Sequence, residues 1–223
     1  MLTLHCTQAA ARALSQTRQG RTHSPVRDVA PVGALQGWRW QLHAATVSRR
    51  TVFILMEQHS RFAVALWGIR KGDYAALLQQ FWQRIANHLL WLNDDVGGLT
   101  ESEADAALAE CASQHRQTVF LHGGDRSVQQ HLNQALAEVR LALSGETPPL
   151  EDLLAAAQLD DYLNRGFRQV GRQAAAFVPA DAFYLHWLRH AARLDDAALE
   201  AVQHRQQALR QAHYAALWGE LEA

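Results

Sequence analysis

The sequence predicts an α+β fold: an antiparallel meander with a strand-helix N-terminal unit and covering helices, followed by an all-helical C-terminal extension. Three observations carry this. An alternating apolar-polar segment at the N-terminus leads straight into a helix-capping threonine. Three further alternating segments are joined by connectors too short for anything but hairpins, and every segment beyond residue 150 has helical periodicity. The division that follows is residues 1–144 for the α+β domain and 150–223 for the helical extension, with 145–149 as a linker. Because the sheet and its two longest amphipathic helices precede the linker, a chain ending near Ser144 is expected to stay folded.

Leu2–Cys6 alternate apolar and polar residues and read as a short strand, after which Thr7 caps a helix over residues 8–16. Residues 17–37 carry Gly20, Pro25, Pro31, Gly33 and Gly37 without periodicity and read as a long surface loop. Trp38, Trp40, Leu42, Ala44 and Thr46 share one face of a strand whose other face bears Arg39, Gln41 and His43. Segments 51–57 and 61–69 follow after short connectors, which forces antiparallel pairing. The first of them is apolar on both faces and reads as a central strand with helices covering one side.

Asp73 opens a helix in which Leu77, Leu78, Phe81, Ile85 and Leu89 recur at three and four residues. Gly97-Gly98 breaks it, and Thr100 with Glu103 forms a capping box for the next helix. Residues 118–121 are a short buried strand. Asp125 or Ser127 then caps a helix with Val128, Leu132, Leu136 and Val139 on one stripe. In the extension, helices are expected over 150–163, 166–176, 180–193 and 196–220.

Composition narrows the function classes. The 223 residues are 48% hydrophobic and 19% charged, close to globular averages, and the formal net charge of -1 supplies no global field for nucleic acid or an anionic membrane. Lys71 is the only lysine, which with the abundant alanine reads as compositional bias. Two cysteines, Cys6 and Cys111, are too few for a disulfide framework. With no apolar run of spanning length and no basic stretch leading an apolar one at the start, the expected location is the cytoplasm.

The most suggestive chemistry lies at two strand-to-helix junctions, Cys6-Thr7 and Gly123-Gly124-Asp125-Arg126-Ser127. If the two strands are parallel neighbours, both junctions open on one sheet edge, where α/β folds bind ligands. Free N-H groups at a helix start, a Gly-Gly turn, Arg126 and the Ser127 hydroxyl would cradle an anion. Alternatively Asp125 and Ser127 are plain caps and Arg126 a surface residue. Cys6 beside a helix start could be a nucleophile, but His5 is its neighbour on a strand and points to the opposite face, so a base would have to be His122 or a residue brought in by the fold.

Two other candidates are weaker. His186 and His190 are at i, i+4 and could share an ion, yet no HExxH or cysteine pair accompanies them, and neither a metal nor a cofactor is expected. Arg165, Arg168 and Arg172 form a basic stripe on the expected 166–176 helix, but acidic residues lie close by and no nucleic-acid motif is present.

The tracts Leu4-His5-Cys6-Thr7-Gln8, Leu35-Gln36-Gly37-Trp38, Ser60-Arg61-Phe62 and Asp125-Arg126-Ser127-Val128 occur in this order and at intervals that resemble an uncharacterised bacterial domain family of unknown function. Its members begin with a strand ending His-Cys-Thr, continue with a Gly-x-Trp strand and meander, and carry Arg-Ser-Val opening a late helix. The resemblance covers about residues 2–143. It departs at Gln130, where the family tends to have glycine, and at Gln41, where asparagine is frequent. What the resemblance implies is a fold outline and no mechanism. The sequence therefore favours a non-enzymatic interaction or regulatory protein, with a protein partner or a second copy bound through the helical extension. The alternative is an enzyme or binder for a phosphate-bearing small molecule or nucleotide, with its anion site at Asp125-Arg126-Ser127 near Cys6-Thr7.

Overall fold

The computed structural model describes residues 1–144, 153–171 and 174–221. The expected linker at 145–149 and Arg172 lie outside the described residues. The chain opens with β1 (Leu2–Cys6) and α1 (Gln8–Leu14), whose N-cap Thr7 accepts from the Ala10 N-H. The segment read as a featureless loop is partly regular. It holds the small hairpin β2 (Gln16–Arg18) and β3 (Arg21–His23), the two-residue β4 (Val26–Arg27), and a 3₁₀ turn at Ala34–Gln36. Strands of two or three residues are too short to show a period, so nothing in the sequence marked them. The Thr3 hydroxyl donates to the Ala34 carbonyl at 2.6 Å and pins the segment across the sheet.

The meander follows as expected: β5 (Trp38–Val47), β6 (Arg50–Glu57) and β7 (Ala63–Trp67) pair antiparallel in sequence order. After it come α2 (Tyr74–Val96), capped by Asp73 and ended by Gly97 in the left-handed region, and α3 (Glu101–Gln114), with the Thr100/Glu103 capping box formed. Then β8 (Thr118–His122) leads into α4 (Arg126–Ala142). The main sheet has the order β4-β8-β1-β5-β6-β7, so a parallel half is joined through β5 to the antiparallel meander. The fold class is α+β.

The remaining helices are α5 (Leu153–Arg165), α6 (Pro179–His190) and α7 (Asp196–Leu221). The helix expected over 166–176 does not form in the described residues. Gly171 sits at φ +83° and Arg168 makes a two-way backbone bridge with Phe177, an extended arrangement that replaces helical hydrogen bonds. Arg165, which ends α5, and Arg168, in the extended bridge, therefore share no helical stripe.

Helices cover both faces of the sheet, not one. Phe53 and Leu55 of β6 pack in a core with α1, α2, α3, α6 and α7, while Val52, Ile54 and Met56 point the other way, into a core with α4 and α5. The extension reaches both cores, placing Phe183, Tyr184 and Trp187 in the first and Leu159 and Leu163 in the second. It also closes the sheet. Asn164 accepts from the Ala63 N-H and donates to the Ala63 carbonyl, both at 2.7 Å, and Asp160 accepts from the Ala65 N-H at 2.8 Å. The outer edge of β7 thus finds side-chain partners where an exposed edge would invite another strand. Among the described residues no helix is long and apolar enough to cross a membrane.

Candidate functional site

β1 and β8 are parallel neighbours, with Cys6 opposite His122, and the Gly123 N-H donates to the Cys6 carbonyl at 3.2 Å. The two junctions singled out in the sequence therefore do meet at one sheet edge. Cys6, Thr7, Gly123, Gly124 and Arg126 line a cavity of about 530 Å³ there. A second cavity of about 390 Å³ adjoins it, lined by His5, Arg39, Gln58 and Val128. Gln41, His122, Gly124 and Asp125 belong to both.

The side chains at this edge do not all point as the sequence suggested. Asp125 caps α4 with its own carboxylate, accepting from the Ser127 N-H at 2.7 Å and from the Val128 N-H at 3.4 Å. Its N-H donates to Gln41 Oε1 at 3.0 Å. The first-turn N-H groups that would hold an anion are thus engaged by the protein. Arg126 is exposed. Gly124, at φ +154°, lies so close to Gln41 that a Cβ there would come within 2.7 Å of the amide, which explains a glycine at this position. Gln41 also donates to Gln129 at 2.6 Å, fixing α4 against β5.

Cys6 is fully buried, its Sγ 3.5 Å from the Leu4 carbonyl, and burial pushes its thiol up to about 12. A thiol so held stays protonated at neutral pH. Thr7 Oγ1 serves the α1 cap and lies 3.0 Å from His43 Nδ1. His5 faces the smaller cavity, away from Cys6, and is held below its ordinary value by burial and then by Arg39. His122 is partly exposed, 3.9 Å from Asp28. No base stands beside Cys6 among the described contacts.

A buried charge lies just behind the cleft, at a residue to which the sequence reading gave no chemistry. Arg61, in the turn between β6 and β7, is only 4% exposed, at φ +59°. Its Nη2 donates to Ser127 Oγ at 3.1 Å, while Nε and Nη1 have no partner among the described residues. Burial pulls its pKa down, Asp125 and then Glu57 oppose this, and Arg168 adds to it. Arg168 is itself 7% exposed, donating Nη2 to the Leu163 carbonyl at 3.0 Å and leaving Nε without a partner. His131 of α4 lies beside them, its pKa lowered by burial first and Arg168 next, which favours its neutral form. The only sequence signals were the polar face of β5 and the Ser60-Arg61-Phe62 turn, and neither announces burial.

A protein-family model matches residues 3–182, from the first strand into the first turn of α6. The chain belongs to DUF6933, a domain of unknown function. No curated protein and no solved structure matches it. The DUF6933 match includes the whole sheet, α4 and α5, so the cleft and both buried arginines lie within it. Two of the tracts that carried the resemblance, Ser60-Arg61-Phe62 and Arg126-Ser127-Val128, touch in this DUF6933 chain through the bond from Arg61 to Ser127.

Proposed function

We propose that this protein is a non-catalytic binding protein for a small anionic ligand, a phosphate-bearing molecule being the best fit. The observation that carries the reading is Arg61: a buried guanidinium with two nitrogens unpartnered among the described residues, tied to Ser127 at the first turn of α4. Leaving buried charged donors unmatched costs several kcal/mol, and an oxyanion accepting the free N-H groups offsets that cost. Arg168 adds a further unpartnered N-H, on its Nε, and a like charge that the anion would neutralise. This moves the anion contact from Arg126 to Arg61 and leaves Ser127 in it. The protonated state of Cys6 speaks against nucleophilic catalysis at the same edge.

A thermal-shift and calorimetric series with inorganic phosphate, sulfate, nucleotides and sugar phosphates tests the reading. A ligand at a hundred times its dissociation constant stabilises by about 2.7 kcal/mol. The stabilisation is expected in the native chain, lost in Arg61→Met and kept in Arg126→Ala. No response to any anion would end the proposal.

The second reading, interaction with a protein partner or a second copy, draws on α7. Its first turns dock through Leu199 and Val202, and Arg205 donates to the Val96 and Gly97 carbonyls, sealing the end of α2. Beyond Gln206 the described side chains are exposed apart from Arg210, and they include Leu209 and Tyr214. Light scattering after size exclusion distinguishes a self-associating chain from a monomer, and a strict monomer with no captured partner would leave the anion reading alone.

A further inference from the structure

At the opposite end of the strands from the cleft, where Trp38 begins β5, lies a cavity of about 560 Å³. Six of its wall residues carry rings: Trp38, His59, His115, His186, Trp187 and His190. They come from β5, the β6–β7 turn, the end of α3 and α6, so no single stretch of chain builds the wall. Arg39 of β5 also lines it, and among the described residues neither aspartate nor glutamate does. We propose that this cavity binds a small organic anion with a flat aromatic body, its carboxylate or phosphate group held by Arg39 and the imidazoles.

Size, unmet donors and charge each support the assignment. The volume falls in the range of small-molecule sites, about 300 to 1,000 Å³, and a wall of rings packs best on a planar ligand. Trp38 and Trp187 keep buried indole N-H groups without a partner among the described residues, donors of the kind that an acceptor oxygen satisfies. The ionisable groups of the lining are basic apart from Cys111, whose thiol is pushed up to about 12 by burial and then by Glu110, so it stays uncharged at neutral pH. Charged groups on the surrounding elements are engaged with one another or with the backbone. Glu110 of α3 accepts from Arg193, Arg189 of α6 donates to Asp196, the Met1 amine donates to the Gln114 carbonyl, and Glu57 turns one oxygen to the N-H groups of His59 and Ser60. Protonation acts in the same direction as Arg39. His186 is held down to about 4, by burial first and then by His190, His59, His115 and Arg189, and His115 is lowered by burial first. The wall therefore gains positive charge as pH falls, and its attraction for an anion rises with it.

The test titrates the full chain by calorimetry with three probes that share one ring system: naphthoate, naphthyl phosphate and neutral naphthol. Saturable one-to-one binding of naphthoate, of naphthyl phosphate or of both is expected, and the one that binds identifies the acidic group. Naphthol should bind at least about tenfold more weakly, because it makes no charge-assisted hydrogen bond. Equal binding of naphthol, or no saturable binding of either anion, would overturn the proposal. Arg39→Gln should weaken the anion about tenfold, and His190→Gln, at an exposed position that leaves the core alone, should weaken it in the same direction. Unchanged affinity in both variants would overturn the proposal. Corrected for the probe's own ionisation, affinity should rise about tenfold from pH 7.5 to 5.5, and a flat profile would count as failure. Loss of binding in Arg61→Met would place the probe in the cleft at the other end of the strands and overturn the assignment to this cavity.

Discussion

Two buried arginines flank β7, and they are satisfied in opposite ways. Arg84 of α2 meets Asp160 of α5 at 2.6 Å, and the same carboxylate lies 3.4 Å from His88 and accepts from the Ala65 backbone. Every oxygen of that carboxylate has a partner. Arg61, in the turn before the same strand, donates to one hydroxyl and leaves two nitrogens unmatched beside a second buried arginine. The first arrangement ties helix, strand and helix together within the protein. The second leaves donors of a buried charge unmatched among the described residues. Burial alone does not separate a structural arginine from a binding one; the count of satisfied N-H groups does.

The largest effect expected is on the extension that brings Asp160. A chain ending at Ser144 should fail to unfold cooperatively in a thermal melt, because α5 and α6 supply side chains to both cores and to the edge of β7. A soluble, cooperatively folding truncation would break the comparison at its root, since Arg84 would then have no need of Asp160. Next, Asp160→Ala strands Arg84 and frees the β7 edge, and should cost about 3 to 5 kcal/mol in denaturant unfolding. A loss below about 1 kcal/mol would mean that the paired arginine is no better held than the unpaired one.

Acid should act on the unpaired side. His131 lies beside Arg61 and Arg168 with its pKa depressed from 6.5, so the unfolded chain binds its proton at a pH where the folded chain does not. The stability tied to its neutral form is present above pH 6.5 and falls as pH drops below it, through the depressed folded value. Unfolding measured from pH 7.5 down to 5 checks the sign, and added phosphate should blunt the loss if an anion sits on these charges. Arg61→Met comes next, with stability within about 1 kcal/mol of the native chain, since an apolar replacement of a buried charge is often neutral or stabilising. The same variant should lose its response to phosphate. The smallest effect is expected from Arg126→Ala, within about 0.5 kcal/mol, because the side chain is exposed and holds nothing. A severe loss there would return Arg126 to the role of a structural tie.

How much was legible differs along the chain. Long periodic segments announced themselves: the β5–β7 meander from alternation and short connectors, α2 and α4 from their apolar stripes, and the caps Thr7, Asp73, Thr100 and Asp125 from residue type and position. The segments that disagreed are those whose backbone partners are distant in sequence. β4 exists because it pairs with β8, and residues 168 and 177 are extended because they bridge each other. At the cleft, the sequence left open whether Cys6-Thr7 and Gly123-Gly124 meet, and the parallel pairing of β1 with β8 puts both junctions on one edge. It gave no chemistry to Arg61, whose bond to Ser127 joins residues far apart in the chain.

What the sequence by itself determined, then, is local: which segments are strands or helices, where they are capped, and which residues belong to apolar faces. These follow from hydrogen bonds and side-chain periods that span a few residues. Tertiary structure alone decided which polar groups are buried and with whom. Arg84 and Arg61 are the same residue type at unremarkable positions, yet one faces Asp160 from 76 residues away and the other reaches Ser127 across 66. The desolvation that makes a charge a tie or a site is set by chain packed against it from elsewhere, and no window of sequence contains that chain.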